Sequence, residues 1–453
     1  MKKRNSFAAL LSAILALAVL LPGCQAEAPG SSSASAEEKP AGSSQSEPAA
    51  GQDATIRVTW WGNQARNDGT VAVLDLYEEK NPGVKFEAEF TDWANYWNKL
   101  ATQSAAGSQP DIVQQDARYL KQYQEKGLLE ELQPYVDKGL LNTEDISEAV
   151  LAGGTIGGKL YAITLGTNTM GMFYDKAITD KAGVAIKDQM TWDEFFEAAK
   201  TINEKTGVKT VLCYGTGENM IRYFACMQGD SMYDEAEPKF GFPDASMPTR
   251  YLKMFTDAIE GGYYVNPQIF VERPPTVMEQ KPIVDETAWN DFLGSNQIVA
   301  LTNAAGRDLE LVMLPRYPDD KEGCYLMPSM SFTISTNSEH KDECAKVIDF
   351  FTNSLEANQI LNAERGIPAS SKIAAALRDT QTPAVQKTFD FIARVEENSF
   401  SVDPLDAPGA SEITDLINRL IEEVSYQQKT PEAAGEEFFA KGNEILAKAA
   451  QEQ

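Results

Sequence analysis

Thr55-Ile56-Arg57-Val58-Thr59-Trp60 alternates polar and apolar side chains, and Gly62-Asn63 breaks the pattern soon after. Alternation with a period of two is the mark of a half-buried strand. A helical spacing follows through Val71, Leu74, Leu76 and Tyr77, and Asn81-Pro82-Gly83 stops it. Val84-Lys85-Phe86-Glu87-Ala88-Glu89-Phe90 alternates again, a second helix is predicted over Tyr96 to Ala106, and Asp111-Ile112-Val113-Gln114-Gln115 reads as a short strand. Strand-helix-strand-helix-strand in that order implies an α/β sheet with helices on its faces.

Upstream of this unit the character of the chain changes twice. Lys2, Lys3 and Arg4 precede an apolar run, Phe7 to Leu21, interrupted by Ser12. The run is shorter than the ~20 residues that cross a bilayer, and it has the layout of a signal peptide, 1–23. Its exit, Leu21-Pro22-Gly23-Cys24, resembles a lipobox, which implies that Cys24 becomes the lipidated first residue of the mature chain; Pro22 departs from the residue usual there. Residues 25–53 are almost all Ala, Ser, Gly, Pro, Glu and Gln, with no aromatic residue and no Leu, Ile or Val. Such a segment cannot bury enough apolar surface to offset its ordering entropy. As a flexible tether it would reach ~30 Å.

Downstream, Thr191-Trp192-Asp193-Glu194 fits a capping box, with Phe195, Phe196, Ala199 and Ile202 on the apolar side of its helix. Gly153-Gly154-Thr155-Ile156-Gly157-Gly158 lacks the Lys-Ser/Thr of a phosphate-binding loop and reads as a turn into a strand. Strands are predicted over Thr210–Cys213 and Ile298–Leu301, and helices around Ile413–Tyr426 and Ala434–Ala450.

Composition narrows the function. The formal net charge is −27, and removal of the basic leader makes the mature chain more acidic still. Such a surface repels polyanions, so nucleic acid is excluded as a partner, and so is adhesion of the protein surface to anionic lipid. Besides Cys24 only Cys213, Cys226, Cys324 and Cys344 occur, too few for a disulfide framework; Cys213 and Cys226 are the nearest pair if one bridge forms. The single histidine, His340, lies in a polar stretch that suits a loop or helix start. Its solitude argues against His-rich zinc sites and a Ser-His-Asp triad. No cofactor or metal is expected. Paired carboxylates remain available among the 67 acidic residues, which leaves a glycosidase or lyase open on composition.

Several stretches in order resemble family 1 extracellular solute-binding proteins, the maltose-binding-protein-like sugar receptors of ABC importers. They are Trp60-Trp61-Gly62-Asn63-Gln64-Ala65-Arg66, Trp93-Ala94-Asn95-Tyr96-Trp97, Gln109-Pro110-Asp111-Ile112-Val113, Lys159-Leu160-Tyr161-Ala162-Ile163, Asn168-Thr169-Met170-Gly171-Met172-Phe173-Tyr174 and Glu364-Arg365-Gly366-Ile367-Pro368. Thr164 stands where a proline is common, and residues 266–290 have no counterpart in the resemblance. It implies a two-lobed periplasmic-binding-protein-like α/β fold, each lobe a mainly parallel sheet flanked by helices, with the ligand cleft between lobes. It suggests an N-lobe of 54–165 plus 331–378 and a C-lobe of 166–330 plus 379–453. It implies a monomeric lipoprotein on the extracytoplasmic face of the cell membrane that captures a carbohydrate, an oligosaccharide above all. Lobe closure would then deliver it to ABC permease subunits with their cytoplasmic ATPase.

Ligands of open α/β sheets sit beyond the carboxyl ends of the strands. That rule selects Trp61, Asn63 and Arg66 after the first strand, Asp116 and Tyr119 after the third, and Asn168 at the lobe crossing. In the C-lobe Tyr214 follows the predicted strand Thr210–Cys213 with Arg222 shortly after, and Trp289 and Asn290, which precede the predicted strand Ile298–Leu301, are candidates too. Each has a plainer role open to it: core packing for Trp60 or Trp61, a helix cap for Asp116, surface ion pairs for Arg66 and Arg222, and a small cluster for Trp289. Trp97, Trp192, Met170, Met172 and Phe173 are read as core. The two arginines keep an acidic sugar in play, since guanidinium pairs well with carboxylate. A polyol or sugar phosphate on the same fold, or a surface-anchored carbohydrate-active enzyme, are the alternatives.

Overall fold

The computed structural model describes residues 54–451 except 213–216, 235, 274–276 and 402–406. Cys24, the tether, Cys213 and Tyr214 therefore lie outside the described residues. Strand β1 (Ala54–Trp61) pairs along its length with β2 (Val84–Thr91), both pointing the same way. Helix α1 (Gln64–Lys80) makes the crossover. Asn63 starts it by accepting the Arg66 N–H at 2.9 Å, which satisfies one of the donors every helix start leaves free. Its buried residues, Asn67, Thr70, Val73, Leu74 and Tyr77, recur at steps of three and four, so one stripe is buried.

Helix α2 (Trp93–Ala105), strand β3 (Ile112–Gln115) and helix α3 (Ala117–Glu125) follow, and β3 lies parallel to β1 on its other side. Two later strands complete the sheet. Ser331–Ile334 pairs antiparallel with β3, and Ile163–Thr164 pairs antiparallel with Ser331–Ile334. The Thr333 hydroxyl donates to the Val113 carbonyl across 220 residues of chain.

A second sheet has Met170–Tyr174 at its centre, flanked antiparallel by Glu310–Val312 and Asn290–Gly294. Parallel pairing in this lobe comes as isolated bridges, Lys209 with Ala288 and Thr210 with Tyr264 among them. Two antiparallel passes join the sheets: Thr167–Asn168 pairs with Met327–Pro328 between them. The result is the expected two-lobed α/β fold, with one correction: the strands of the second sheet pair antiparallel, not mainly parallel, and the first sheet is mixed. Trp192, Phe195, Phe224 and Trp289 fill the interior of the second lobe. Against that lobe pack the C-terminal helices Ala410–Ser425 and Pro431–Gln451, which touch helices Gly217–Gln228 and Ser246–Glu260.

Local readings meet the structure in detail. Thr191 and Glu194 exchange both bonds of a capping box, Glu194 N–H to the Thr191 hydroxyl and Thr191 N–H to the Glu194 carboxylate. Gly157 and Gly158, at φ 57° and 78°, turn the hairpin Thr155–Ile156 to Lys159–Leu160; two consecutive positive φ values are what that turn demands. His340 stands at the N-cap of helix Lys341–Asn353. Residues 298–301 are a correction: they open the helix Ile298–Ala305, not a strand. Ile298 and Leu301 are buried while Val299 and Ala300 are exposed, a spacing of three that serves a helix. Cys324 and Cys344 are buried free thiols; Cys226 is buried as well, and the Cys213 it was matched with lies outside the described residues.

Candidate ligand site at the carboxyl ends of β1 and β3

The first sheet ends in two different faces. The register pairs Val58 with Ile112 and Thr59 with Val113, and continuing it brings Trp61 beside Gln115. On this face Trp61 meets Trp93 edge-on at 5.0 Å between ring centroids and Tyr96 at 5.2 Å. Trp97 lies 5.5 Å from Trp61 and 3.9 Å from Tyr119. Trp93 is the outer ring, 36% exposed, whereas Trp61 is 7% exposed. Arg118 sits over the Trp93 ring, 4.9 Å from its centroid, and is held by Asp116 through bonds of 2.8 and 3.0 Å. Asp116 also caps α3 by accepting the Arg118 N–H.

The opposite face carries charge. Trp60 turns inward there, fully buried, and its indole N–H donates to Asn67. Arg66 grips Glu364 with two bonds, Nε to Oε2 at 2.7 Å and Nη2 to Oε1 at 3.1 Å, and gives a third to the Trp61 carbonyl. Gln114 donates to that same carbonyl and accepts from Arg365 Nε. Arg365 Nη2 donates to Thr70. Burial pulls the Arg365 guanidinium down to about 9, with Arg66 as the next cause and Glu364 opposing. Thr167 and Ile367 exchange main-chain bonds, so the 364–367 loop lies on the crossing strand. Gly366, at φ 103°, has a backbone conformation that side chains rarely adopt, and a Cβ there would stand 3.0 Å from the Asn168 amide.

Of the residues selected from sequence, Trp61, Asn63, Arg66, Asp116 and Tyr119 come together at this edge, and Asn168 stands at the crossing beside it. Asn63 and Asp116 are occupied as helix caps, and Arg66 as an ion pair. Tyr214 is not described. Arg222 is corrected to an interior position, 6% exposed in helix Gly217–Gln228, bonded to Glu218 and over the Tyr233 ring. Trp289 and Asn290 are corrected likewise. Both are fully buried, Trp289 against Phe195, and Asn290 bonded to Thr210 and Val211. The reason is direction: Gly294 pairs with Met170 next to the crossing, which puts residues 289 and 290 at the far end of their strand. The near end is Ser295, bonded to Thr169 N–H, with exposed Asn296 following. Glu364, Arg365, Gln114, Gln115 and Trp93 were not selected either. Two adjacent amides closing a strand of fully buried residues are the signal that could have found Gln114 and Gln115. Among the described residues no group of His, Cys, Asp and Glu could hold a metal ion, and no helix is long and apolar enough to cross a membrane.

Aromatic rings beside paired polar groups, at strand ends next to two interlobe passes, define a two-lobed receptor class of fold. A family model described as bacterial extracellular solute-binding protein matches residues 72–390, and the chain belongs to that family. A binding protein of Brucella abortus (strain 2308) is 24% identical over 389 residues, 83% of this chain and 89% of that one. A family 1 extracellular solute-binding protein of Alicyclobacillus acidocaldarius superposes with a TM-score of 0.81 at 24% identity, over 88% of this chain and 100% of that one. A periplasmic oligogalacturonide binding protein of Yersinia enterocolitica, also 24% identical, gives 0.72 over 87% and 100%. The family works outside the cytoplasm, as its description states.

Proposed function

We propose that this protein is the carbohydrate receptor of an ABC importer, held by a lipid on Cys24 and a flexible tether. Its two lobes would divide near the crossing strands Thr167–Asn168 and Tyr325–Pro328. The observation that carries the reading is the aromatic shelf of Trp61, Trp93, Trp97 and Tyr119, with the Arg118–Asp116 pair over its outer ring. Sugar rings present weakly apolar C–H faces that stack on aromatic rings, and hydroxyls that need paired donors and acceptors. A site built to bond a hydroxyl rejects analogues lacking it, because its own polar groups would stay unpaired. The sugar-binding names among similar proteins, oligogalacturonide for the Yersinia protein, support the same class. Ligand bridging both lobes would shift the population toward a closed form that docks on the permease.

The test is thermal unfolding of the purified chain against mono- and oligosaccharides, with each mixture checked for breakdown products. At 100 times its dissociation constant a ligand adds about 2.7 kcal/mol. A shift with intact sugar afterward supports a receptor. Hydrolysed sugar would favour an enzyme, and no shift across a panel that includes uronates and polyols would refute the carbohydrate reading.

A further inference from the structure

Gln115 is 1% exposed, and neither end of its side-chain amide has a hydrogen-bond partner among the described residues. It closes β3 on the aromatic face, in register with Ser331 on one side and beside Trp61 on the other. Trp97, in the same cluster, also has a buried indole N–H without a partner. Gln114, one residue earlier and on the opposite face, uses both ends of its amide. Buried polar groups are almost always bonded, and one left unmet carries a desolvation penalty that an apolar side chain of equal size would avoid. Positions that break local rules in this way are concentrated at functional sites.

We propose that the Gln115 amide is a specificity-determining contact that reads hydroxyls of a neutral sugar ring stacked on the aromatic shelf. This rests on the carbohydrate-receptor reading above. A hydroxyl both donates and accepts, which matches the paired C=O and NH2 of an amide. A uronate carboxylate only accepts. It would bring its charge toward Asp116 and the Gln115 oxygen, on a face whose cation, Arg118, is already tied to Asp116. Across the sheet Arg66 is likewise bound to Glu364. Because the side chain is 1% exposed, groups around it must shift for a ligand to reach the amide.

The test compares the purified chain with Gln115→Met by titration calorimetry against glucose, galactose, arabinose, xylose, maltose, cellobiose and galacturonate. Melting of the free proteins serves as the folding control. Gln115→Met should melt at or above the wild type while binding the wild type's preferred neutral sugar about tenfold or more weakly. If it fails to fold, Gln115→Asn, which withdraws the amide by one methylene, carries the same expectation. Affinity unchanged within about twofold in a folded variant overturns the proposal, and so does a wild type that prefers galacturonate. A wild type that binds none of the sugars overturns the receptor reading itself.

Discussion

Replacing Glu364 with Ala removes both oxygens that Arg66 grips, at 2.7 and 3.1 Å, from a pair whose side chains are 13% and 22% exposed. Breaking a fully buried pair costs about 3–5 kcal/mol because a charge is left uncompensated. An exposed pair is worth about 1 kcal/mol or less. This pair lies between, and its loss also leaves Arg66 facing Arg365, which burial and Arg66 already disfavour as a cation. A loss of about 2.5 kcal/mol is expected on that interpolation. For a folded body of roughly 400 residues the unfolding entropy is about 0.8 kcal/mol/K, so the melting midpoint should fall by about 3 °C. Differential scanning calorimetry without ligand reads this directly. The double variant Arg66→Met/Glu364→Leu should recover most of the loss, since no charge is stranded. A midpoint within about 1 °C of wild type for Glu364→Ala, or a double variant no better than the single, would refute the electrostatic account.

Trp93→Ala should leave the melting midpoint nearly unchanged, because its ring is the exposed member of the shelf, yet weaken binding of the stabilising sugar; unaltered affinity would remove Trp93 from the site. Thr191→Ala should lower stability by about 1 kcal/mol by unmaking the capping box, read by chemical denaturation. Bonds from Lys429, then Lys441 and Arg419, hold the Glu437 carboxyl down at about 2, from 4.5. A depressed folded-state pKa gives stability that is full above the unfolded value and lost as pH falls toward 2, so Glu437→Gln should flatten the acid limb of the stability curve. A limb of unchanged slope would exclude that role. Burial pushes the Cys324 thiol up to about 11 and the Cys344 thiol up to about 12. Both should resist alkylation at pH 8 until denaturant is added; rapid native labelling would contradict their burial.

The first lobe was legible because its elements are local. β1, α1, β2 and β3 each declare themselves by a period, and Asn63, Pro82 and Gly83 punctuate them. The strand-end rule then chose Trp61, Arg66 and Asp116, which lie at one sheet edge, from chain order alone. In the second lobe Trp289 and Asn290 were chosen for preceding a strand at 298–301 that is a helix, and the real strand, Asn290–Gly294, runs toward the crossing and leaves them at its far end. Trp289 could not be told from a binding platform by residue type, since the same indole serves a core equally well. Glu364 entered only through family resemblance, because 298 residues separate it from the Arg66 it pairs with. Such a contact leaves no local trace. Residues 298–301 misled because a short apolar run suits either kind of element.

The strand Ser331–Ile334 has a consequence for how the molecule comes into being. Until residue 334 has left the ribosome, β3 has an open flank of unpaired amides and carbonyls, and the first lobe lacks its fourth strand. Exposed strand edges recruit other chains, and pairings across such long stretches form slowly. A proteolytic or engineered fragment ending before residue 331 should therefore aggregate, although it holds every residue of the aromatic shelf. The opening third of the polypeptide is not an excisable module: its maturation waits on the arrival of a segment made after the second lobe's central strands.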